Sequence, residues 1–88
     1  MADRERIEDI LRRRFNPADL EVVDESEKHR GHSGWRPGGG THFRVRLVSD
    51  RFRGLSRLQR HRLVHAALSP EPMNSIHALT LSLEATRR

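Results

Sequence analysis

Between Thr41 and Val48, the apolar residues Phe43, Val45 and Leu47 alternate with His42, Arg44 and Arg46. Strict alternation gives a strand one apolar face and one polar face, so this segment belongs in a sheet with a single buried side. A chain of 88 residues builds one core, and domains this small bury only about 60% of the surface their unfolded chain exposes. The remaining apolar residues must therefore cover that one face. Ile7, Ile10, Leu11 and Phe15 recur at helical spacing after Asp3, a candidate N-cap, and Asn16-Pro17 closes the run. The spacing predicts an amphipathic helix over residues 4–15. Leu20 to Glu25 is short, β-branched and half polar, and predicts an edge or half-buried strand.

Beyond the alternating segment, Ser49-Asp50 can cap a single helical turn around Arg51 to Arg53, which Gly54 breaks. Ser56-x-x-Gln59 is a capping box, opening a helix to about Leu68 with Leu63, Val64, Ala67 and Leu68 on its buried side. Ser69-Pro70-Glu71-Pro72 stops it, because proline disfavours a helical residue before it and cannot donate to the helix. From Ile76 the alternation resumes, with Leu79, Leu81 and Leu83 on one face of a third strand. The stretch from Lys28 to Gly40 holds five of the six glycines together with Trp35 and Pro37, and predicts a long flexible loop.

The predicted order is α-β-β-α-α-β. A helical crossover between the second and third strands favours a parallel, right-handed connection, while the glycine loop permits an antiparallel pair between the first two. The fold class is α+β: a two-layer sandwich with helices on one face of a three-stranded mixed sheet, in a single domain over residues 1–88.

Composition removes most functional classes. Without cysteine the chain offers no disulfide, no thiolate nucleophile and no thiolate metal site of its own. No nucleophile-elbow or triad-like motif appears, and a thin core leaves no room for a buried multi-residue cleft, so no catalytic residue is assigned and no enzyme is expected. The charged start and the lack of any apolar run approaching 18 residues predict no signal peptide, no membrane span and a cytoplasmic chain. The net charge of +5 is uneven: residues 1–27 carry nine acids and five arginines, whereas residues 28–88 carry twelve bases and three acids.

Taken together, several blocks resemble the BolA family: Leu20-Glu21-Val22-Val23-Asp24-Glu25-Ser26, Thr41-His42-Phe43-Arg44-Val45, Val48-Ser49-Asp50-Arg51-Phe52, Gly54, Gln59-Arg60-His61-Arg62-Leu63-Val64 and Ile76-His77-Ala78-Leu79. They span nearly the whole chain in the family's order. The resemblance implies a fold akin to the type II KH domain and a non-enzymatic protein with two roles. One is partnership with a monothiol glutaredoxin in iron–sulfur chemistry, and the other is DNA-binding transcriptional regulation. The chain departs from the family's pattern in its Trp35 and Gly38-Gly39-Gly40 loop and in Pro70 and Pro72.

Six histidines are the strong soft-metal ligands available. From pattern alone His77, in phase with Leu79, Leu81 and Leu83, is a partly buried histidine bonded to a backbone carbonyl. The resemblance implies instead that it is a cluster ligand. It also implies a second ligand in the loop after the first strand, where His29 fits by distance from Glu25-Ser26 and His32 competes; both also read as ordinary solvated loop histidines. Two imidazoles complete a [2Fe–2S] cluster only if other thiolates bind its second iron, as in Rieske centres. A glutaredoxin cysteine and glutathione would supply that sulfur, so no cluster is expected in the isolated protein. His61 and His65 share a helix face at i, i+4 but lack a third ligand, and His42, out of phase with Phe43, is placed away from the core.

Seven arginines and one acid lie between Arg44 and Arg62. A capped helix after a turn resembles a helix-turn-helix, and Arg51, Arg53, Arg57, Arg60 and Arg62 are the candidate phosphate contacts of a DNA-binding alternative. The same arginines also suit pairing with the acidic N-terminal segment, or docking of an acidic partner or of glutathione's carboxylates. A homodimer is compatible with either function.

Overall fold

Helix α1 (Asp3–Phe15) buries Ile7, Leu11 and Phe15, one residue per turn on one face. A computed structural model describes the chain over residues 3–25 and 42–87, and in it the outer face of α1 carries i, i+4 ion pairs such as Arg4–Glu8 at 2.7 Å and Arg13–Asp9 at 3.0 Å. Exposed pairs of this kind contribute only about 0.3–0.5 kcal/mol each, so the apolar stripe positions the helix. Asp3 stands in the first turn of α1 rather than before it as a cap. The helix ends at Asn16, whose left-handed φ of 43° turns the chain while its N–H donates to the Arg12 carbonyl at 3.1 Å.

Strand β1 (Asp19–Asp24) pairs antiparallel with β2 (His42–Val48), and β2 pairs parallel with β3 (Ala78–Glu84), giving the sheet order β1-β2-β3. The mixed sheet is the one expected. Its register sets Val22, Val45 and Leu81 side by side, and all three are buried. Helix α2 (Arg57–Leu68) makes the crossover and closes the core with Val64, Ala67 and Leu68. Its start is the predicted capping box: the Gln59 N–H donates to the Ser56 hydroxyl at 3.1 Å, and the Ser56 N–H donates to the Gln59 side chain at 2.8 Å. Phe52 is fully buried and its ring centroid lies 5.1 Å from that of Phe15, joining α1 to the turn that precedes α2.

The expected single helical turn before α2 is present, capped by Ser49 and ended at Gly54 (φ 79°), but it is a 3-10 turn, Asp50–Phe52, so the fourth element of the predicted order is not an α-helix. A second 3-10 turn, Met73–Ser75, follows the prolines and has no periodic signal in the sequence. Leu63 is 42% exposed rather than part of the buried side, since the face of α2 centred on Val64 leaves it on the flank.

Ser49 is the fastening at the end of β2. Fully buried, its hydroxyl donates to the Phe15 carbonyl at 2.6 Å and accepts from the Arg51 N–H at 3.1 Å, while its own N–H donates to the Glu84 carbonyl at 2.9 Å. One residue thus ties α1, the 3-10 turn and β3 together.

Candidate metal centre and basic helix face

At the opposite end of β2, His42 pairs in register with Ala78, so the parallel arrangement brings it beside the residue that precedes β3. That residue is His77. The two imidazole centroids stand 5.2 Å apart, tilted by 58°. His77 is exposed and His42 is buried. The exposure of His77 corrects the pattern-based reading of it as a partly buried histidine. His77 lies one residue before the first ladder partner, in a bend, so strand alternation does not carry its ring to the core face. His42 follows the outward parity of Arg44 and Arg46, yet the His77 ring packs against it. His29 and His32 lie outside the described residues, as does the predicted glycine loop. Among the described residues no group of three or more His, Cys, Asp or Glu side chains is placed to hold a metal ion. The His42–His77 pair escapes sequence reasoning, although the predicted parallel crossover already implies that the starts of β2 and β3 are neighbours.

The arginines divide by partner. Arg44 donates to Glu25 at 3.1 Å, and Arg46 pairs with Asp19 at 2.6 Å and Glu21 at 3.9 Å. These strand arginines meet the acids of the N-terminal segment across the sheet, one of the alternatives that the sequence leaves open. Arg53 pairs with Asp50 at 3.0 Å and donates to the Thr86 carbonyl at 2.5 Å, and the Thr86 hydroxyl in turn donates to Asp50. Arg60 is half-buried. Its Nε donates to the Leu55 carbonyl and its Nη1 to the Leu83 carbonyl, each at 3.1 Å, with the guanidinium carbon 6.0 Å from the Phe52 centroid. Two of the five predicted phosphate contacts, Arg53 and Arg60, are therefore engaged with the protein itself. The side chains of Arg51, Arg57 and Arg62 are exposed and make no hydrogen bond or ion pair among the described residues.

Comparison with known proteins places this arrangement. The BolA-like protein family profile matches residues 11–88. The chain belongs to the BolA family. It is similar to the DNA-binding transcriptional regulator BolA of Escherichia coli, 48% identical over 81 residues that cover 92% of this chain and 73% of that protein. BolA-like protein 1 of Bos taurus is 54% identical over 71 residues, covering 81% of this chain and 50% of its own length. Among solved structures, the BolA domain of SufE1 from Arabidopsis thaliana superposes with a TM-score of 0.81 at 39% identity, covering 93% of this chain and 90% of that one. The α+β arrangement of two helices over a mixed sheet is thus the BolA fold. This chain spans 22% of the full-length SufE-like protein 1 of Arabidopsis thaliana, to which it is 41% identical over 80 residues covering 86% of this chain. Among the described residues, no helix is long and apolar enough to cross a membrane.

Proposed function

We propose that this BolA-family chain is a non-enzymatic adaptor that completes a [2Fe–2S] cluster together with a monothiol glutaredoxin and glutathione. The pairing of an exposed His77 with a buried His42 at 5.2 Å carries the reading. His77 has an accessible imidazole, and His42 restricts its ring from one side. The donor set fits half of a shared cluster: imidazole nitrogen is an established ligand for one iron of a [2Fe–2S] centre, and the other iron takes thiolates that this cysteine-free chain lacks. His77 would hold the iron, with His29 as its companion and His32 as the competitor for that place. When bound, the cluster supplies a redox-active, transferable iron centre. This chain's own part is to present imidazole and hold its orientation.

The test is anaerobic reconstitution with a monothiol glutaredoxin and glutathione, followed by visible absorption and circular dichroism. His77→Ala is expected to change the spectrum of the hetero-complex. An unchanged spectrum from a complex that still forms overturns the ligand assignment.

A second reading, DNA-binding regulation, is favoured by Arg57 and Arg62 on α2, which have no partner among the described residues, and by the name of the Escherichia coli relative. Its contacts would be Arg51, Arg57 and Arg62, with phosphate affinity that falls as salt rises.

A further inference from the structure

The two edges of the sheet differ in kind. Along β1 the exposed side chains are carboxylates, Asp19, Glu21 and Asp24, and Pro17 precedes them; charge and proline are the usual means of keeping an edge from pairing with another chain. From Ala78 to Leu83, β3 carries no charge at all.

The direction of its backbone groups follows from the ladder. The Ser49 N–H donates to the Glu84 carbonyl, so Glu84 points its peptide groups toward β2. Peptide groups alternate sides along a strand, and in a parallel pair each residue directs its N–H and C=O the same way. Thr80 and Ser82 therefore also face β2. Leu79, Leu81 and Leu83 present their N–H and C=O groups to the side away from β2, where no strand pairs with β3 among the described residues. The Leu83 carbonyl confirms the parity, because Arg60 reaches it from α2.

Beside this edge lies a groove of about 420 Å³, walled by Leu81, Leu83 and Glu84 of β3 and by Arg57, Arg60 and His61 in the first turns of α2, with Leu55 just before it. It continues into a shallower depression formed by Arg57, Leu58 and His61. Leu58 is 57% exposed, the most exposed large apolar residue among those described. The first turn of α2 contains no acid, so the positive end of the helix adds to Arg57 rather than being neutralised.

We propose that the open edge of β3 accepts an extended, carboxylate-bearing segment of a partner protein as an added strand. Main-chain hydrogen bonds to Leu79 and Leu81 would hold it, as in other edge-strand recognition. Its side chains on the helix side would meet Leu58 as an apolar contact and Arg57 and His61 as partners for carboxylates. Charge complementarity selects an acidic segment of a partner over a second copy of this chain: a second β3 would bring only Glu84 to those cations, and on a second β1 Asp19 and Glu21 already pair with Arg46 while Pro17 guards the edge. The surface is separate from the histidine pair, and the proposal does not rest on the cluster reading.

The experiment uses a fluorescently labelled extended peptide alternating glutamate and valine, titrated into the isotopically labelled full chain without metal or thiol. In the free protein the Leu79 and Leu81 amides exchange faster than those of Thr80 and Ser82, which lie in the β2 ladder. Bound peptide slows Leu79 and Leu81 by about tenfold or more, Arg57→Glu weakens binding about tenfold, and a peptide with lysine in place of glutamate does not bind. Arg57→Gln, which avoids charge reversal, weakens binding less and keeps the circular dichroism spectrum of the parent. Equal binding of the lysine peptide overturns the proposal, as does binding without protection of Leu79 and Leu81. So does protection of both amides in a free protein whose mass in solution is that of a dimer, since the edge would then belong to a second copy.

Discussion

The Arg60 guanidinium, anchored on the Leu55 carbonyl, reaches the Leu83 carbonyl at 3.1 Å and so ties the start of α2 to the end of β3. A side chain whose composition and helix position suggest phosphate binding is in fact a clamp across the crossover. Arg60→Ala is expected to lower stability by about 1–3 kcal/mol, since it removes two hydrogen bonds from a charged donor. Arg60→Lys should recover only part of this, because an ammonium lacks the planar fork. Urea denaturation checks both, with Arg57→Ala as the reference expected to stay within about 0.5 kcal/mol.

Ser49→Ala leaves the Phe15 carbonyl without the hydroxyl that donates to it and the Arg51 N–H without its acceptor. The site is fully buried, so water does not replace the missing partner cheaply. The expected loss is about 1–3 kcal/mol, read from the urea midpoint at an unchanged slope.

His42→Phe keeps a ring against His77 while removing its nitrogens. If His42 only orients His77, the reconstituted hetero-complex retains nitrogen coupling to the reduced cluster in pulsed electron paramagnetic resonance, with altered visible circular dichroism. His77→Ala removes the coupling assigned to that ring. Complete loss of nitrogen coupling in His42→Phe would instead make His42 itself a ligand.

For DNA binding, neutralising Arg51, Arg57 and Arg62 together should flatten the slope of log affinity against log salt by about 0.9 for each phosphate that is no longer neutralised. Arg44→Gln and Arg46→Gln should leave the slope nearly unchanged, because both arginines already face carboxylates of β1 and the residue after it. Fluorescence anisotropy across a salt series distinguishes the two sets.

The fold is legible because its signals are local: alternation in β2 and β3, the Ser56–Gln59 capping box, and the apolar stripe of α1 each specify an element without reference to the others. What is not legible depends on the partners a side chain finds across the fold. Arg60 and Arg62 look alike in sequence, yet one turns inward to two carbonyls and the other faces solvent. Leu63 fits an apolar helix pattern that the position of the sheet leaves half uncovered. His42 faces away from the core by parity yet is buried, and only the register with Ala78 shows that the His77 ring lies beside it. His77 itself is singled out by family likeness, while its exposure and its neighbour come from geometry.

Strand β2 starts at the histidine beside His77 and runs into the serine hub just past its end, a separation of about 23 Å at the usual rise per residue. The place where this protein would be handled and the place where it is fastened are therefore at opposite ends of one rod. Under the proposed role, a partner exchanging an iron centre at the His42 end would act about one strand length away from the buried anchor at Ser49, so the exchange would leave that fastening undisturbed.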